Sequence, residues 1–203
     1  VPAGRGKESE SPGATSMKHV LLAYYSHAGH TARIARRIAE TIEAEGSRCD
    51  VVSMMEAVRE GVDWDKYDIV IVGSPIVYGV YNRVVWEFVS AYRDRLESMP
   101  NSFFNVTVVA RSPNKARPEG NRYLQKFVKR SPWKPRDLKC FAGKVDYPNW
   151  NWFDTLMIQI IMKITNGPTN PNTVVDYTDY EDLKNYARHC LNLDVEQGFA
   201  KKA

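Results

Sequence analysis

The chain has 203 residues and a formal net charge of +4, long enough for one domain with a full core and requiring no second one. Its three cysteines, Cys49, Cys140 and Cys190, are odd in number and far apart, which excludes a disulfide framework or a C-x-x-C zinc site and fits a reducing compartment. The greasiest run, "WNWFDTLMIQIIMKI" (150–164), is interrupted by Asp154, Gln159 and Lys163 and falls short of the roughly 20 apolar residues a bilayer span needs.

The first sixteen residues are small and polar, rich in Gly, Pro and Ser, and read as a disordered extension rather than a secretory signal. A folded domain is expected over 17–193, followed by a tail over 194–203. From Met17 onward apolar strand-like runs alternate with helix-like ones: "HVLLAYY" (19–25), "RCDVVS" (48–53), "DIVIVGS" (68–74), "FFNVTVVA" (103–110) and "LKCFAG" (138–143). Between them, Ile34, Ala35, Ile38, Ala39 and Ile42 form one helical stripe, and Val84, Val85, Phe88, Val89, Tyr92 and Leu96 another. The last helix opens on "TDYE" (178–181), a capping-box pattern, with Leu183, Tyr186, Ala187, Cys190 and Leu191 inside.

Five strands alternating with helices predict an α/β, doubly wound parallel sheet, most economically in the flavodoxin-like order. After the fifth run comes an insertion at about 144–172, which carries the apolar helix, and then a second short run, "TVVDYT" (173–178). The expectation is a fifth strand interrupted by that insertion.

In such sheets ligands bind beyond the carboxyl ends of the strands. The first loop there is "SHAGHT", Ser26, His27, Ala28, Gly29, His30 and Thr31, between a buried strand and a helix start. Unpaired amides and the helix dipole favour a phosphate at such a place, and Ser26 and Thr31 add hydroxyls. The same residue types serve as ordinary caps, so the loop alone leaves both readings open. The second loop runs Ser74, Pro75, Ile76, Val77, Tyr78, Gly79, Val80, Tyr81, Asn82; rings beside a glycine suit a flat ring system. The third, Ala110, Arg111, Ser112, Pro113, Asn114 and on to Arg117 and Asn121, is polar and basic. His27 and His30 lack a third ligand at useful spacing, so no metal is expected. No nucleophile–base or paired-carboxylate pattern stands out either, and a cofactor that brings its own reactivity would account for that.

Together, "SHAGHT", "SPIVYGVYN", "VARSPNKARPEGNRYLQKF", "SPWKPRD", "YPNWNWFDTLMIQIIMKITNG" and "VVDYTDYEDL" resemble the flavodoxin-like, quinone-dependent protoporphyrinogen oxidases, over about 17–193. The resemblance implies an FMN enzyme of haem biosynthesis that oxidises protoporphyrinogen IX and passes electrons to menaquinone or ubiquinone. It also implies FMN phosphate on Ser26–Thr31 and the flavin ring against Ser74–Tyr81 and Ala110–Arg117, with no catalytic acid or base assigned. Many flavodoxins carry a threonine where Ala28 stands, so backbone donors carry more of the phosphate here. The alternatives are an NAD(P)H:quinone reductase and a non-enzymatic electron carrier; the basic charge and apolar insertion count against the carrier.

Between Arg111 and Lys144 stand eleven Lys or Arg and two acids, Glu119 and Asp137, so the rest of the chain is net acidic. An anionic partner fits this asymmetry, a lipid headgroup or porphyrin propionate ahead of nucleic acid, for which no recognition motif is present. On the apolar helix, Asp154, Gln159 and Lys163 gather with Asn151 and Thr155 into a thin polar stripe. That pattern, with Trp at one end, suits a bilayer interface, and Trp150, Trp152, Phe153, Met157, Ile160 and Ile161 are the expected membrane or quinone contacts. The competing reading packs Leu156, Ile160 and Ile164 against the sheet and closes the rest over a cofactor or a second copy. The expected location is a peripheral membrane site facing a reducing compartment, the cytoplasmic side of the inner membrane in a bacterium or a mitochondrial membrane in a eukaryote.

Overall fold

The computed structural model describes residues 16–194. The extension read over 1–16 and the tail read over 194–203 lie outside the described residues, apart from Ser16 and Asp194 at their edges.

In chain order the elements are β1 (His19–Tyr24), α1 (His30–Ala44), β2 (Arg48–Ser53), α2 (Met54–Glu60), β3 (Ile69–Pro75), α3 (Arg83–Ala91), α4 (Arg93–Ser98) and β4 (Asn101–Thr107). Then come α5 (Arg122–Arg130), β5 (Leu138–Ala142), β6 (Lys144–Asp146), α6 (Trp152–Ile164), β7 (Val174–Asp176) and α7 (Tyr180–Cys190), with short 3-10 turns between. The main sheet is parallel with strand order β2-β1-β3-β4-β5, the flavodoxin-like doubly wound arrangement.

β1, β3 and β4 are buried on both faces, which is why they read as unbroken apolar runs rather than alternating ones. One face packs on α1 and α7 through Ile34, Ile38, Ile42, Leu183 and Tyr186. The other packs through Val85, Phe88, Leu96, Phe127 and Trp133. The face-to-face rings of Phe103 and Phe127, 3.9 Å apart, lock α5 onto β4. Gly73 is required in β3 because a Cβ there would sit 2.1 Å from Cζ of the fully buried Phe104. All three cysteines are free and buried, and burial pushes the thiols of Cys49 and Cys140 up to about 12.

Three local expectations change. The stripe from Val84 to Leu96 is two helices, broken at Tyr92, whose hydroxyl donates to Ala57 O across to α2. The N-cap of α7 is Asp179, accepting from the amides of Glu181 and Asp182; Thr178 is spent instead on Ala142 O and His30. The fifth strand is complete before the insertion begins, and 173–178 does not rejoin the main sheet. Its β7 pairs antiparallel with β6 in a separate two-stranded sheet, because the chain returns from α6 in the opposite direction.

The insertion has its own small core, Val145, Tyr147 and Met162, with Val108, Trp150 and Ile158 packed against it. Its apolar helix is inverted relative to a core helix. Asp154, Thr155 and Gln159 face the protein, where they bond His27, Tyr147 O and Thr169 O. Trp152, Phe153, Leu156, Ile160 and Ile164 face solvent, with Trp152 78% and Ile164 77% exposed. Packing of Leu156, Ile160 and Ile164 on the sheet is therefore overturned; Ile158 and Met162 hold the helix down.

Candidate functional site

β1 ends at the carboxyl edge of the sheet and the chain turns at once into α1 through Ser26–Gly29. Ser26 Oγ accepts from the amides of Gly29 (3.1 Å) and Ala32 (3.3 Å), which folds the loop over the helix start. Gly29, the N-cap, has φ of 90°, a left-handed conformation that strains any residue with a Cβ. Gly29 has no side chain to cap α1; Ser26 takes the Ala32 amide, and with no acid in the first turn the amides of His30 and Thr31 and the dipole are left for an anion. Beside it, His30 bonds Thr178 Oγ1 through Nε2 (2.8 Å), while its buried Nδ1 has no partner among the described residues. Burial pushes the His30 imidazole below its usual pKa; Asp176 opposes this, and Arg33 and Lys144 reinforce it.

The second loop makes a tight hairpin turn. Val77 and Val80 exchange both backbone hydrogen bonds at 3.1 Å, and the two residues between them, Tyr78 (φ 52°) and Gly79 (φ 76°), are left-handed. A left-handed tyrosine is costly, and such strain concentrates at ligand sites. The Tyr78 ring stands edge-on between His27 (6.3 Å) and Phe153 (5.7 Å), joining the Ser26–Thr31 loop to the insertion. Its neighbours divide: Pro75, Ile76 and Val77 line the same cleft, whereas Ser74 is wholly buried, donating to Pro75 O. Tyr81 is a core residue, its hydroxyl donating to Tyr123 O.

The third loop is not brought to this cleft. After β4 the chain curls into a 3-10 turn that buries Ala110 in the core, and Val106, Thr107 and Val108 form the wall expected of Ala110–Arg117. Arg111 instead donates to Val108 O (3.0 Å) and to Thr165 O (2.8 Å), tying this turn to the end of α6. Ser112 O accepts from the amides of Lys115 and Ala116 in the following turn, and Pro113, Asn114 and Arg117 are exposed.

The remaining wall was legible only in part. Trp150, Asp154 and Ile158 of the insertion close over the cleft opposite Gly143 and Lys144, leaving about 100 Å³ of free space between them. Asp154 Oδ2 lies 3.2 Å from His27 Nε2, pinning α6 to the Ser26–Thr31 loop. Trp150 thus faces the cleft and Tyr147 (5.7 Å) rather than leading the outward face, while Leu156 and Ile164 belong to that face and were missed. The available signal was Asp154 itself, a lone acid in an apolar helix.

A flavodoxin-domain family matches residues 21–172. The protoporphyrinogen IX dehydrogenase [quinone] of Escherichia coli (strain K12) is 37% identical over 173 residues, 85% of this chain and 94% of that protein. The chain belongs to the flavodoxin-like protoporphyrinogen IX dehydrogenase (quinone) family. The same dehydrogenase of Leishmania major is 33% identical over 177 residues, 86% of this chain and 75% of that one. Among solved structures, two-electron reduced Megasphaera elsdenii flavodoxin aligns with a TM-score of 0.46 and 17% identity, over 61% of this chain and 85% of that one.

For a member of this oxidoreductase family, the cleft is suited to a phosphate-bearing flat ring. An acid-free helix start whose first two amides are unspent lies at one end, nothing stands within 4 Å of the space over Gly29, and the walls are mostly apolar: Ile76, Val77, Val106, Val108, Trp150 and Ile158.

Proposed function

We propose that this dehydrogenase-family member binds FMN in the cleft and oxidises protoporphyrinogen IX to protoporphyrin IX in haem biosynthesis, passing the electrons to a membrane quinone. The observation that carries the reading is the pairing of an anion-suited helix start on α1 with an apolar slot closed by the insertion, in a chain matching nearly the full length of the bacterial dehydrogenase. Bound FMN supplies reversible two-electron acceptance, chemistry that no side chain here provides. The α1 amides and Ser26 would hold the phosphate, the backbone of the left-handed turn at Tyr78–Gly79 would be offered to the ring, and Trp150 and Ile158 would keep water from it. The test is anaerobic flavin reduction. The purified protein should be yellow with FMN, reduced by protoporphyrinogen IX and not by NADPH alone; reduction only by NADPH would make it a general quinone reductase.

The quinone places the enzyme at a bilayer, and α6 supplies the surface for docking there. No helix among the described residues is long and apolar enough to cross a membrane. The outward face of α6 offers Trp152 at its start and Lys163 at its end, flanking Leu156, Ile160 and Ile164, a composition suited to the headgroup boundary. Not all of the basic stretch contributes: Arg111, Lys134, Arg136, Lys139 and Lys144 are committed to carbonyls or to Asp182 and Asp146. The cations left for anionic lipid are chiefly Lys126, Lys129 and Arg130 on α5. Flotation with phosphatidylcholine/phosphatidylglycerol vesicles should capture the wild type and lose Trp152→Glu/Ile160→Glu; equal capture of both would remove the membrane reading.

A further inference from the structure

A second groove lies on the other side of the turn that walls the cleft. It offers about 250 Å³ between the loop leading into α5 and the last turn of α6. Its apolar lining comes from Val109, Tyr123, Ile161 and Ile164, and its rim carries Lys115 and Arg122. Neither cation makes an ion pair among the described residues; Arg122 rests over the Tyr123 ring at 5.0 Å. The segment holds one acid, Glu119, against Lys115, Arg117, Arg122 and Lys126.

The rim is built rather than a chance of surface composition. Asn121, 1% exposed, caps α5 by accepting from the amides of Tyr123 and Leu124, and donates to Lys115 O at 2.9 Å, so one buried side chain ties the backbone of Lys115 to the start of α5, where Arg122 stands. Asn105, at the heart of β4, donates to the same Asn121 from beneath. Gly120 is obligatory for the fold-back, since a Cβ there would lie 1.9 Å from Asn114 O.

The groove also adjoins the cleft. Val108 lines one and Val109 the other; Ile158 of α6 faces the cleft and Ile161, less than a turn later, faces the groove. Tyr123 Oη lies 3.8 Å from the Cβ position of Gly79, the residue of the left-handed turn. Ile164 carries the groove out to the exposed face of α6.

The geometry points to this groove as the site where the macrocycle substrate docks, its apolar ring system against Val109, Ile161 and Ile164 and its two carboxylates on Lys115 and Arg122. This rests on the porphyrinogen reading above and extends it to specific residues. A quinone has no carboxylate to match the two cations, and a lipid headgroup would leave the apolar floor unused. Charge-assisted bonds to carboxylates are the strong ones, and Arg122 can offer its planar fork.

The experiment titrates FMN-loaded protein with protoporphyrin IX, which cannot reduce the flavin, and in parallel with its dimethyl ester, following porphyrin absorbance. Lys115→Glu/Arg122→Glu should weaken diacid binding by about tenfold or more while ester binding changes by less than about twofold. Lys129→Glu, on the exposed far end of α5, should change neither. FMN content and the flavin spectrum should match wild type in all variants, which separates a lost contact from a lost fold. Unchanged diacid affinity in the double variant, or equal losses for diacid and ester, would overturn the assignment. Anaerobic flavin reduction by protoporphyrinogen IX is read separately: if it proceeds while the affinities fail to split, the groove assignment falls alone; if it fails while they split, the oxidation reading falls and the groove stands.

Discussion

Helices α1 and α6 flank the same cleft and face opposite ways. α1 buries Ile34, Ile38 and Ile42 against the sheet and turns its charges outward. α6 turns Asp154, Thr155 and Gln159 inward, each on a hydrogen-bond partner, and leaves an apolar ridge in solvent. Periodicity locates a stripe on a helix but carries no sign for which side meets the protein. What decides is whether the polar groups find partners inside: His27, Tyr147 O and Thr169 O are positioned for α6, and α1 has no need of equivalents.

The sharpest way to break this comparison is to truncate matched residues. Ile38→Ala in α1 should cost about 2–5 kcal/mol in urea denaturation, since it empties a fully buried site. Ile160→Ala in α6, where the side chain is largely in solvent, should stay within about 0.5 kcal/mol of wild type. A comparable loss at Ile160 would mean that its face is covered after all.

Two glycines extend the contrast between core and cleft. Gly73→Ala drives a methyl into the Phe104 ring and should cost about 1–3 kcal/mol, with the flavin site losing order only as the sheet does. Gly29→Ala meets no atom but must hold a positive φ, costing about 1 kcal/mol, and its main effect should be poorer FMN retention on gel filtration. Retention unaffected at Gly29 would detach the phosphate from this loop.

Asp154→Asn weakens the pin between α6 and the Ser26–Thr31 loop. The half-exposed His27 limits the pair's worth to about 1 kcal/mol or less, so stability should barely move, while FMN release should quicken several-fold in stopped-flow dilution. No change in release would make the contact incidental to closure.

The smallest expected effect is on pH dependence. His30 has its pKa lowered in the folded state, so the neutral form is favoured there. Its contribution is complete above the ordinary histidine pKa of about 6.5 and is lost as pH falls below that value. The urea midpoint of the FMN-free protein should therefore drop between pH 7 and pH 5, and less steeply in His30→Gln; equal slopes would show that another group carries the dependence.

Much of the fold was legible because burial on both faces writes itself into sequence as continuous apolar runs, as in β1, β3 and β4. The position of the Ser26–Thr31 loop was legible for a similar reason, since a buried strand running directly into an amphipathic helix brackets the turn between them. The third wall was not. Ala110–Arg117 has the polar look of a binding loop, yet burial of Ala110 turns the chain away and leaves the cleft to Val106–Val108. Tyr81 misled likewise, because a loop tyrosine and a core tyrosine with a hydrogen-bonded hydroxyl have the same sequence signature.

The residue pattern by itself determined a five-stranded doubly wound sheet, a helix start suited to an anion and an apolar helix in the insertion, because each depends on local periodicity and neighbouring residues. Tertiary structure alone decided which side of that helix turns inward, that β7 pairs with β6, and that Asn121 ties the backbone of Lys115 to the start of α5. Those outcomes depend on partners far apart along the chain, such as His27 with Asp154, whose meeting no local pattern encodes.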